Sequence, residues 1–331
     1  MGSETATGTE VAPAVPRAKH RRPPREKGGG EGARVSRVLY PRWYWPSFAA
    51  SGTIWLALLF VLPFYVVFAV AFGTSDLFGN ALPVYQPWYW TGSTFTTILN
   101  RFYGGDAFYQ PALIRTLVYV PAASLLCLVL GYGVAYYVAR HAGRRKGLYL
   151  ILLISPFWIS YLMRIYAWQG LLQPDGLINK ILTSAHVISS PVSWLQGRPF
   201  TVILGLMYGY IPYMILPMFG FLDRIDQNLL EAGRDLGAGP VKTFVRVTLP
   251  LSRQAILAGM VIVALPMFGD YFTNDLLGST KTSMYGNLID NALSLPGESP
   301  QAASLVLMLL VLLIVPLLYY LRSTKRAQEA A

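Results

Sequence analysis

The sequence predicts an all-α membrane protein: a bundle of six transmembrane helices with both termini in the cytoplasm. Three observations lead there. Of the 331 residues, 54% are apolar and only 13% are charged, about half the charged share of an ordinary soluble domain. Six apolar runs reach the roughly 20 residues that cross about 30 Å of hydrocarbon. The basic residues behind the net charge of +11 fall almost entirely in alternate connections between those runs.

The first run extends from about Phe48 to Phe72 and carries no charge. The second covers about Ala112 to Ala139, with Arg115 near its start, and the third about Leu148 to Leu172, with Arg164 inside. The fourth spans about Phe200 to Leu222 without charge, and its Gly205 and Gly209 have the small-x3-small spacing of close helix packing, expected within the subunit. The fifth, about Gln254 to Leu277, holds Asp270 and Asp275 late in its course, just after Pro266. The sixth, about Ala302 to Leu321, is again uncharged. Only helices satisfy their own backbone within such segments, which predicts a helical bundle and not a barrel.

Orientation follows from the basic residues. The segment before the first run, the second-to-third and fourth-to-fifth connections and the C-terminus hold 21 of the 27 Lys and Arg. The positive-inside rule puts those segments in the cytoplasm, so the charge reports topology and gives no reason to expect nucleic acid. The opposite loop after the first run is crowded with Tyr85, Trp88, Tyr89, Trp90, Phe102, Tyr103, Phe108 and Tyr109, as an interfacial aromatic belt or a docking rim would be. Pro174-Asp175-Gly176 marks a turn, and Leu177, Ile178, Ile181 and Leu182 then recur at the spacing of a short amphipathic helix.

The expected domains are a disordered basic tail over 1–47, a membrane domain over 48–322 and a short cytoplasmic tail over 323–331. The first tail is rich in Gly, Pro, Ala and charge, and its cations suit anionic membrane lipid. One cysteine and three scattered histidines offer no metal site. No Gly-Lys dipeptide, G-x-S-x-G or H-E-x-x-H occurs, so neither a phosphate-binding loop nor a hydrolase motif is present. No catalytic residue and no bound cofactor are expected. Uphill transport would need an ion gradient or another subunit.

The cytoplasmic loop over 223–253 is the most informative segment. Asp226 suits a helix N-cap, and Leu229, Ala232, Gly233 and Leu236 share one helix face. Gly237-Ala238-Gly239-Pro240 stops that helix, and Val241, Phe244, Val245 and Thr248 predict a second one ending near Leu249-Pro250. A solvated loop needs no such helix–turn–helix.

This loop resembles the EAA loop of permease subunits of bacterial ABC importers, which reads E-A-A, three residues, G, nine residues, I-x-L-P. Glu231-Ala232-Gly233, Gly237 and Val247-Thr248-Leu249-Pro250 keep that spacing, with Gly233 and Val247 as the departures. Leu128 to Ala135, Ser155 to Trp158 with Arg164 to Tyr166, and Gly269 to Gly278 are similar to the putrescine/spermidine branch. The resemblance covers about Phe48 to Leu321 and implies an importer-type permease bundle in the bacterial plasma membrane. It also implies a second, different permease subunit, two ATPase subunits that bind ATP and Mg, and an extracytoplasmic substrate-binding protein. Carried over, Glu231, Ala232, Gly233, Asp235, Gly237, Leu249 and Pro250 would couple to the ATPase.

The solute path is read from chemistry. Ionisable residues in a span are costly and mark function, and ammonium groups gain from carboxylates and aromatic faces. Asp270 and Asp275, with Trp158, Tyr161, Tyr208 and Tyr271, therefore form the expected path for spermidine or putrescine. The competing reading has the aspartates capping a helix or pairing with Arg164 or Lys281, with Arg164 met by carbonyls or an aspartate. Iron, sulfate or thiamin would suit the same coupling loop. A gradient-driven transporter would predict inverted repeats, and none is visible.

Overall fold

The computed structural model describes residues 44–76, 78–104 and 107–329. The expected tail therefore lies, as far as residue 43, outside the described residues. Unbroken apolar stretches give four long helices: α1 (Tyr44–Ala71), α3 (Gln110–His141), α7 (Pro199–Leu222) and α14 (Ser299–Glu329). Each is long and apolar enough to cross a membrane. Two further spans are bent pairs, which bring the number to six if each pair is one crossing.

The first bent pair corrects the expectation of one helix over Leu148 to Leu172. Here α4 (Lys146–Ile154) runs into a 3-10 turn, Ser155–Trp158, and α5 (Tyr161–Leu171) leaves at 84°. Pro156 opens that turn, and Ile159 then takes extended backbone at ψ 140°, where no helical bond can pass. The fifth span is corrected too. Helix α11 (Arg253–Phe268) stops at Gly269, three residues after Pro266, and a separate helix α12 (Phe272–Leu277) follows. On its other side α11 meets the cytoplasmic-loop helices at 64°.

The chain divides at Leu62, inside α1, into two units. In the unit beginning at Pro63, α3, α7 and α11 form the main core around Val120, Cys127, Leu206, Met214, Met218, Val263 and Met267. A second core joins α2 (Ser93–Tyr103), α13 (Tyr285–Ser294) and α14 through Ile98, Phe102, Leu288 and Leu305. The amphipathic segment forms α6 (Leu177–Ser184). Its buried Asn179 donates to the carbonyls of Gln173, Pro174 and Val192 and accepts from Val192 N and Trp194 Nε1, which pins the whole connection.

The aromatic loop separates into two populations. Trp90 stacks on Phe72 at 4.7 Å, and Phe102 and Tyr109 are buried, whereas Tyr85, Trp88, Tyr89, Tyr103 and Phe108 stay exposed. A two-residue hairpin, β1 (Thr74–Ser75) with β2 (Ala81–Leu82), precedes them. Its turn is held by Asp76, whose carboxylate accepts from the Asn80 side chain and from the backbone of Asn80 and Phe78. Those bonds, the Asn80 side chain first, hold the carboxyl below the usual range.

Candidate functional site

The two ends of the bundle carry different chemistry. At the basic end the chain between α7 and α11 folds as the helix–turn–helix its sequence predicts. Asp226 Oδ1 accepts from Asn228 N at 2.9 Å and starts α8 (Gln227–Asp235). That helix ends in two reciprocal bonds, Ala238 N to Gly233 O at 3.1 Å and Gly237 N to Arg234 O at 2.8 Å. Gly237 sits at φ +77°, the left-handed position that such a cap reserves for glycine. Pro240 opens α9 (Pro240–Thr243), a π-helical turn Phe244–Thr248 follows, and α10 (Leu249–Leu251) completes the limb.

Of the small residues of α8, Gly233 faces this loop itself. A Cβ on Gly233 would lie 3.6 Å from Thr243 Cγ2 and 3.8 Å from Val247 Cγ2, ordinary van der Waals contact, so the departure from alanine is sterically harmless. Glu231, Ala232, Asp235, Leu249 and Pro250 are exposed. Leu229, Leu236, Val241 and Val245 are exposed too, an apolar set that a partner would cover. A groove of about 480 Å³ runs between this loop and the end of α3, lined by Tyr136, Arg140, Leu230, Glu231, Arg234 and Phe244 among others. Arg140 anchors it, donating through Nη1 and Nη2 to the Ile225 carbonyl at 3.1 Å each. An ion pair between Lys146 and Asp223 ties the two basic connections together.

At the aromatic end the break between α11 and α12 is organised by Asp270, which is 6% exposed. Its Oδ2 accepts from Tyr161 Oη at 2.5 Å, Tyr210 Oη at 3.0 Å and Thr273 Oγ1 at 3.0 Å, and its Oδ1 accepts from Thr273 N at 2.9 Å. One carboxylate thus joins α5, α7 and the first turn of α12. The glycines of α7 make this possible. An added Cβ at Gly209 would overlap the Tyr161 ring, and one at Gly205 would meet Thr273 Cγ2 at 2.8 Å. The small-x3-small pair therefore seats the two side chains that hold Asp270.

Not every expected path residue gathers here. Tyr161 and Asp270 meet. Asp275, five residues on, is exposed and bonds to Asn287 Nδ2 at 2.6 Å, and Tyr271 gives only its carbonyl, to the same amide at 3.1 Å. Tyr208 packs edge-on against Trp168 at 5.4 Å, and Trp158 is 76% exposed. Tyr210 and Thr273 were missed. The spacing Asp270-x-x-Thr273 is that of a helix-start cap and signals the threonine; nothing local marks Tyr210. Arg164 is 8% exposed and its guanidinium lies over Phe157 at 4.3 Å and Tyr161 at 5.7 Å. Neither a carbonyl nor a carboxylate meets its Nε or Nη1 among the described residues, so aromatic faces take the place of the expected partners.

Apolar spans, two sharp breaks and a capped helix–turn–helix leading into the fifth span define a transport permease of the importer class. The chain belongs to the family described as the inner membrane component of binding-protein-dependent transport systems, whose pattern matches residues 43–328. It is 33% identical over 271 residues to the spermidine/putrescine transport system permease protein PotB of Escherichia coli K12, covering 82% of this chain and 94% of that protein. With the PotB protein of Haemophilus influenzae the identity is 32% over 274 residues, covering 82% and 91%. A chain of the crystallised bacterial alginate ABC transporter, in complex with its alginate pentasaccharide-bound periplasmic protein, shares the fold. The TM-score is 0.68 at 16% identity, covering 89% of this chain and 97% of that one.

Proposed function

We propose that this chain is one of two permease subunits of an ATP-driven importer for polyamines of the spermidine/putrescine type. The observation that carries the substrate class is its 33% identity to PotB across 82% of the chain. The chemistry of the path agrees: Asp270 offers a buried carboxylate with no cation paired to it among the described residues, beside Tyr161 and Tyr210.

In this reading the chain crosses the bacterial plasma membrane six times with both termini in the cytoplasm, and 48–322 is its permease domain. The basic end then faces two ATPase subunits, and the aromatic end faces a second permease subunit and a binding protein outside. Glu231, Ala232, Gly233, Asp235, Gly237, Leu249 and Pro250 form the surface that engages the ATPase. Closure of the ATPase dimer on ATP moves the loop as a unit, and alternating access follows from rocking of the helices joined to it. The chain does no hydrolysis of its own.

The test is reconstitution in liposomes with the companion permease, the ATPase and the binding protein. Putrescine uptake is expected to require ATP, and ATPase activity to rise with loaded binding protein. Glu231→Ala is expected to lower uptake about tenfold or more while the complex still inserts. Polyamine uptake by this chain alone, driven by a proton gradient, would overturn the proposal.

A further inference from the structure

At the basic end of the bundle, the last turns of α7, the first turns of α11 and Tyr320 of α14 border a groove of about 360 Å³. Its walls are graded in polarity. Pro217, Gly220 and Phe221 of α7 and Ala258 of α11 make an apolar slot, whereas Arg224 and Gln254 lie nearer the end of the bundle. Pro217 and Arg224 are seven residues apart, so the slot runs about 10 Å along α7 at 1.5 Å per residue. Small residues keep it open: a Cβ added at Gly220 would meet nothing within 4 Å. The neighbouring turns of α14 are bare, with Leu318, Tyr319 and Leu321 all exposed, so this flank of the bundle is not covered by the chain itself.

The charge at the mouth says what fits. Arg224 is exposed, and its backbone N donates to the Phe221 carbonyl at 3.1 Å, which carries the chain on from the last turn of α7. Among the described residues it forms no ion pair. The two carboxylates nearest it in sequence are committed elsewhere, Asp223 to Lys146 and Asp226 to the cap of α8. No carboxylate lines the groove. An unpaired guanidinium therefore stands at the end of a span, above an apolar slot that lies within the hydrocarbon. A phospholipid has the complementary order, an anionic phosphate at the surface and an acyl chain below. A free anion would use the guanidinium and leave the slot empty. A segment of another protein would need an acidic side chain at the same height, whereas the membrane supplies anionic headgroups at this depth by itself.

We propose that this groove binds one anionic phospholipid, with its phosphate on Arg224 and an acyl chain laid between α7 and α11. The site rests on the placement of the bundle in a membrane and is independent of the solute carried. Its test is binding to the assembled transporter, stripped of lipid in neutral detergent, read by native mass spectrometry. The probes are dioctanoyl phosphatidylglycerol, dioctanoyl phosphatidylcholine and glycerol 1-phosphate. Phosphatidylglycerol is expected to bind at least about fivefold more tightly than phosphatidylcholine, the ratio one basic residue near a membrane surface supplies. Glycerol 1-phosphate, which has no acyl chain, is expected not to displace it. Arg224→Gln should weaken phosphatidylglycerol about fivefold and phosphatidylcholine less than twofold, and Arg224→Lys should keep most of the affinity. Gly220→Leu fills the slot from a position with free space around it and should weaken both lipids tenfold or more. Where that variant fails to assemble, Ala258→Leu decides, with the same loss expected. Wild-type lipid binding in the Arg224→Gln and slot-filling variants overturns the site, and so does displacement by glycerol 1-phosphate, which would mark a simple anion site. Cross-linking of a Gly220→Cys variant to the companion permease, with no lipid bound, would make the groove a subunit contact and overturn it too. Failure of the polyamine reading looks different: lipid binds as described, yet the reconstituted system does not import putrescine.

Discussion

At the basic end Glu231, Arg234 and Asp235 stand exposed on α8, whose cap is built from backbone bonds around Gly237. At the aromatic end Asp270 is buried and all of its bonds run to side chains or backbone of three different helices. The first arrangement keeps charge in water, where reading it costs a partner little desolvation. The second withdraws a carboxylate from water and compensates it with hydroxyl and amide donors, so anything that competes for it must break a network. A surface that keeps its charge in water and a centre that buries it differ in this way more than in composition.

The largest effect is expected where the buried network depends on missing side-chain volume. Gly209→Leu drives a branched side chain into the Tyr161 ring, and overpacking of this kind costs about 1–3 kcal/mol or more. A fall in thermal stability of the purified complex, with loss of uptake, is the expected measurement. Retained stability would mean that Tyr161 is free to move aside. Gly237→Val comes next. Its φ of +77° is hostile to a β-branched residue, at about 1–2 kcal/mol, but the site is exposed, so ATPase docking should fall several-fold while the spans remain folded. Equal damage to both would erase the contrast between the two ends.

Smaller effects sharpen it. Asp270→Asn keeps the size and some of the bonds but removes the charge, and about a five- to twentyfold loss of putrescine uptake with normal assembly is expected. Gly233→Ala is expected to leave uptake and docking unchanged within twofold, because the added methyl meets Thr243 and Val247 at ordinary distance. A strong phenotype there would show that α8 approaches another backbone more closely than its own loop requires.

Much of the fold is legible in the sequence because membrane spans announce themselves through length and apolarity alone. The helices over Gln110–His141 and Pro199–Leu222 begin and end within two or three residues of where the apolar runs do. The breaks are less legible. Hydropathy is blind to direction, so Ser155-Pro156 and Gly269-Asp270 lie in apolar runs that look continuous while the backbone turns by 84° at the first. The basic-end site was readable because its turn chemistry is local: Asp226, Gly237 and Pro240 each act on neighbours within a few residues. The buried centre was only half readable. Tyr161 and Tyr210 lie 109 and 60 residues from Asp270, and one tyrosine in a span resembles another until the chain folds.

Helix α11 acquires a particular meaning from its two ends. It begins one residue beyond the loop helices and stops immediately before the Asp270 break, so a single rod of 16 residues links them, about 24 Å long at 1.5 Å per residue. Regular helix bends little over that length, apart from the softening Pro266 introduces at its last turn. A rotation of about 5° at one end then displaces the other by about 2 Å, given that length. Hydrogen bonds weaken steeply over far less. In the transport cycle proposed above, mechanical advantage of this order would let a small shift of the loop loosen both tyrosines from Asp270 without any unfolding, and the stiffness of α11 itself would govern how tightly the two ends keep time.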